Sequence, residues 1–121
     1  PKIIISKSYP NYKMPNILNC ADYLMISLKK NEPFNLTIPG KLQNYMILGK
    51  PIISFTEGIT NKIIADANCG YFADIDKLNI NKFFKQILRN KNIKKMSNNS
   101  INYAKKNFDK NKIIKNLIKN F

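Results

Sequence analysis

What most limits the fold of this chain is a recurring switch in apolar period. Short runs of β-branched and aromatic residues alternate with stretches in which apolar residues recur every three or four positions. Ile3-Ile4-Ile5, Tyr23 to Leu28, Ile52-Ile53-Ser54-Phe55 and Tyr71-Phe72-Ala73 have the length and composition of buried strands. Between them, Met14 to Asp22 reads as a helix, with Pro15 in its first turn and Ile17, Leu18 and Ala21 on one stripe. Lys41 to Leu48 repeats the pattern with Leu42, Tyr45 and Met46, and Gly49 stops it. Asn61 to Asn68 turns Ile63, Ile64 and Ala67 inward, and Gly70 stands where a left-handed cap belongs.

Strands that alternate with helices at this spacing pair in parallel through helical crossovers, so the expected fold is α/β, an open, mostly parallel, Rossmann-like sheet. Beyond residue 76 the strand signal ends. Phe83, Phe84, Ile87 and Leu88 form one helical stripe and Ile113, Ile114, Leu117, Ile118 and Phe121 another, with the break between helices expected at Asn98-Asn99-Ser100. With 121 residues, no internal repeat and no Gly/Ser-rich linker, the chain reads as one domain, with βα units over 1–76 and a helical tail over 77–121.

Composition narrows the function classes. The chain has no His and two distant cysteines, Cys20 and Cys69, which rules out the usual zinc spacings and a disulfide framework; both thiols are expected free and half buried. No apolar run approaches the roughly 20 residues of a spanning helix, and no signal segment opens the chain, so a cytoplasmic protein is expected. Lys and Arg number 21 against 7 acids, a formal charge of +14. The excess is uneven: residues 1–76 carry a balance of +2 and residues 77–121 a balance of +12. The single Arg89 leaves little capacity for bidentate contacts and no RNA-binding aromatic signature is present, so nucleic acid is not an expected partner. Two readings of the basic tail remain: packing helices with lysine-rich outer faces in a Lys- and Asn-rich chain, or a surface that docks on anionic lipid at the inner face of the plasma membrane.

In open α/β sheets, ligands bind beyond the carboxyl ends of the strands, where helix starts present unpaired N–H groups. Two loops fit that place. In Glu32 to Lys41, Pro39-Gly40 allows close backbone approach and Lys41 brings a positive charge to a helix start; the alternative is a plain turn with a solvated lysine. In Thr56 to Asn61, Glu57 can accept hydrogen bonds from sugar hydroxyls; the alternative is a helix cap. The GxGxxG and GxxxxGK[ST] phosphate loops are absent, and Asp74-Ile75-Asp76 reads as a turn rather than a metal site.

The motifs also occur in a recognisable order: Ala21-Asp22 with the run Tyr23 to Leu28, then Ile38-Pro39-Gly40-Lys41, then Tyr45 through Gly49-Lys50-Pro51-Ile52-Ile53, then Ala67-Asn68-Cys69-Gly70. This order resembles the C-terminal, nucleotide-sugar-binding half of GT-B glycosyltransferases, in particular glycosyltransferase family 4 in its bacterial O-antigen and capsule branch. The resemblance implies metal-independent transfer, with retention, from a UDP- or GDP-sugar to a glycan or lipid-linked acceptor, with no further cofactor. It implies that Gly40 and Lys41 meet the donor diphosphate, that Asn44 faces the ribose where many members carry Glu, and that Glu57, Gly58 and Asn61 lie against diphosphate and sugar. Glu32 would belong to the same acidic motif, at a longer spacing than is common. The acceptor domain and the opening strands of the donor domain would lie upstream, so the isolated chain is expected to be inactive and the Ile3–Ile5 strand to re-pair with an edge, swap into a second copy or dock on a partner chain. A shared cleft between Lys41 and Gly58 is required. The competing expectation is a non-catalytic Rossmann-like module for oligomerisation or for scaffolding glycan assembly.

Overall fold

The structure is a computed structural model, and it describes residues 3–28 and 38–108. A 3-10 turn, Asn11–Lys13, leads into α1, Met14–Leu18, and strand β1, Leu24–Ser27. Helix α2, Gly40–Ile47, strand β2, Ile52–Phe55, helix α3, Ile59–Ala67, and strand β3, Gly70–Phe72, follow. Two further helices, α4, Ile80–Arg89, and α5, Ile93–Asn107, complete the described chain.

The three strands form one parallel sheet in the order β1-β2-β3, an open α/β arrangement as expected. Leu24 pairs with Ile52 and Ser27 with Phe55, so β1 and β2 begin and end level; Ile52 pairs in turn with Gly70. The central strand is buried at Ile52, Ile53 and Ser54, as a parallel strand covered on both faces must be, whereas β1 alternates buried and exposed residues. Leu24, Ile26 and Ile52 share one core with Leu42 and Met46 of α2, Ile63 and Ile64 of α3, and Ala104 of α5. A strand order that advances steadily in one direction brings two crossovers of the same hand onto the same face, which accounts for α2 and α3 meeting in a single core. Alternation turns Phe55 to the other face, where it meets Phe83 at 5.8 Å and Phe84 at 6.4 Å between ring centroids and so seats α4.

Two glycines are dictated by geometry. Gly49 stops α2 with φ of +74°, and a Cβ there would fall 2.4 Å from Ile101 Cδ1. Gly70 is a strand residue, not the left-handed cap expected of it. Asn68 takes the cap, with φ 51° and ψ 52°, and Gly70 is required because a Cβ would lie 1.9 Å from the Ile52 carbonyl oxygen.

Four other expectations are corrected. Ile3, Ile4 and Ile5 form no strand and stand 91%, 83% and 92% exposed, because an apolar run becomes a strand only where a neighbour offers its ladder. The helix from Met14 ends at Leu18, tightened into a turn by Cys20 and Ala21 N–H groups that donate to Ile17 and Leu18. The helical break lies at residues 90–92, not at Asn98-Asn99-Ser100, through which α5 runs unbroken. Asn98 is exposed, but the next two residues have tertiary acceptors: Asn99, half-buried, donates from Nδ2 to the Asn68 carbonyl at 2.9 Å and the buried Ser100 from Oγ to the Lys50 carbonyl at 3.1 Å. The cysteines are not half buried alike, since Cys20 is exposed and Cys69 fully buried. The stripe of Ile113 to Phe121 lies outside the described residues, as does Glu32.

Candidate strand-to-helix site

Helices α2 and α3 both follow strands, and the level ends of β1 and β2 bring those connections to the same, carboxyl, edge of the sheet. Their starts differ from that of α4. Helix α4 is capped by Asn79, whose side chain accepts from the Lys82 N–H at 3.1 Å. Helix α2 starts after Pro39 and α3 after Gly58, with φ of +74°; neither has a side-chain cap or an acidic residue in its first turn. Among the described residues, then, the first N–H groups of both helices, including those of Gly40 and Lys41, have no side-chain cap at the positive end of the helix dipole, although Glu57 immediately precedes the Gly58 cap of α3.

Lys41 and Asn44 are exposed on the face of α2 opposite Leu42 and Met46. They line one cavity of about 580 Å³ together with Tyr45 and with Met14, Pro15 and Leu18 of α1. The far wall of that cavity is α1, not the loop of Glu57 and Gly58, so it is not the cleft shared by Lys41 and Gly58 that the transferase resemblance requires. The structure thus brings Lys41 and Asn44 together, and it brings Asn61 into a second cluster.

That second cluster locks the β2–α3 loop. Ser54 Oγ donates to Asn61 Oδ1 at 2.9 Å, and Thr56 Oγ1 lies 2.8 Å from Ser54 Oγ and 3.2 Å from Asn61 Oδ1. The Thr56 N–H donates to Ser54 Oγ at 3.2 Å, and Asn61 Nδ2 donates to the Thr56 carbonyl at 2.8 Å. Asn61 spends its carbonyl and one amide proton inside the loop, so its first role is to hold the turn that presents Gly58. Glu57 stands half-buried beside an exposed Gly58. Thr56 opens the loop singled out in the sequence but had no role there, and Ser54 did not stand out, although a serine in an otherwise apolar central strand was the available signal, because a buried hydroxyl needs a partner. Thr60, in the first turn of α3, is fully buried and its Oγ1 has no hydrogen-bond partner among the described residues.

Cys69 supplies no nucleophile. Burial pushes its thiol up to about 11, against a smaller opposing contribution from the Ser100 hydroxyl. Asp74 Oδ1 accepts from the Asp76 N–H at 3.0 Å, the turn expected of that pair. Among the described residues no helix is long and apolar enough to cross a membrane. Compared with known proteins, the chain matches no family model, no curated protein and no solved structure.

Proposed function

We propose that this chain is the donor-binding portion of a retaining, metal-independent GT-B glycosyltransferase, one that moves a sugar from a UDP- or GDP-sugar to a growing bacterial surface polysaccharide or lipid-linked acceptor, and that it is inactive alone. The observation that carries the reading is the pair of helix starts, without a side-chain cap among the described residues, that follow level, adjacent parallel strands. Sugar departure from a nucleoside diphosphate builds negative charge on the leaving phosphate, and a lysine with fixed N–H dipoles stabilises that charge where it develops. Lys41 and the Gly40 N–H serve the α2 start, Asn44 the ribose, and Glu57, Gly58 and the free amide proton of Asn61 the sugar side.

Two observations favour a second reading, a non-catalytic sheet module: the cavity against Lys41 and Asn44 is walled by α1 rather than by the Gly58 loop, and Asn61 is largely consumed by its own loop. Calorimetry on the full chain with UDP, GDP and their sugars separates the two. Binding of a diphosphate that weakens about tenfold in Lys41→Gln supports the transferase reading. Absence of binding by all of them, with circular dichroism reporting an intact fold, leaves the scaffold.

A further inference from the structure

We draw no further inference here: the strongest candidate, the outer edge of strand β1, which has no partner strand among the described residues and leaves Met25 51% exposed, carries nothing because nothing in the structure shows what covers it.

Discussion

The two edges of the sheet are finished in opposite ways. At the amino edge, where each strand is entered, long-range side chains close the loops. Lys50 Nζ donates to the Asn19 carbonyl at 2.9 Å, Ser100 Oγ to the Lys50 carbonyl and Asn99 Nδ2 to the Asn68 carbonyl. These contacts cover the carbonyl-rich exits of α1, α2 and α3, and α5 supplies two of the three. At the carboxyl edge Ser54, Thr56 and Asn61 of the β2–α3 loop bond one another, and among the described residues the starts of α2 and α3 have no side-chain cap. One edge is closed by hydrogen bonds between distant parts of the chain, while the described loop of the other is held by hydrogen bonds within a single turn. In the proposed transferase reading, a turn held rigid from within keeps its N–H donors pre-organised before an anion arrives.

The comparison can be broken or sharpened by substitution. Gly70→Ala at the amino edge has the largest expected effect, since the new Cβ would collide with the Ile52 backbone; urea titration should register a loss of about 3 kcal/mol or more. A cost under 1 kcal/mol would mean that the β2–β3 pairing is far looser than described.

The next effect comes from Cys69. Burial pushes its folded thiol up to about 11 from an ordinary value of 9.0, so the folded state retains a proton that the unfolded state gives up between those values. The associated stability is complete below pH 9 and is lost as pH approaches 11, by about 2–3 kcal/mol. Denaturation across that range should show the decline in the parent chain and a flatter profile in Cys69→Ala. Thiol labelling should meanwhile modify Cys20 quickly and Cys69 only on unfolding.

Smaller effects compare the edges directly. Asn61→Ala strips the Ser54 and Thr56 hydroxyls of their shared acceptor and should cost about 1–2 kcal/mol. Ser100→Ala orphans one lone pair of the Lys50 carbonyl and should cost about 1 kcal/mol, measured by the same titration. Thr60→Val should act in the opposite direction and stabilise by up to about 1 kcal/mol, because it removes a buried hydroxyl with no partner. If Thr60→Val instead destabilises, that hydroxyl has an acceptor, and the carboxyl edge is more fully satisfied than its hydrogen bonds indicate.

Most of the architecture was legible from local pattern. The central strand Ile52–Phe55 coincides with the expected run, and Gly49 ends α2 where its position after the last periodic residue demanded. The helices α2 and α3 begin one or two residues earlier than expected, since a helix start is set by the turn ahead of it as much as by its apolar stripe. Of the expected site residues, Gly40, Lys41, Asn44, Glu57, Gly58 and Asn61 do lie at or just beyond the two strand-to-helix connections. Their grouping was not legible: the wall that α1 gives to the Lys41 cavity and the Ser54–Thr56–Asn61 lock depend on which side chains meet after the sheet forms.

Sequence alone determined the alternation of elements, because apolar period is a property of neighbours three or four positions apart at most. Tertiary structure alone decided the rest. It placed Ser100 and Asn99 inside a helix that their composition argued should break, left Ile3 to Ile5 in solvent, and turned Leu88 outward. The physical reason is the same in each instance: a polar side chain is buried, and an apolar run becomes a strand, only if a partner stands opposite. Those partners lie 31 to 50 residues away along the chain, at Asn68 and Lys50, beyond the reach of any local pattern.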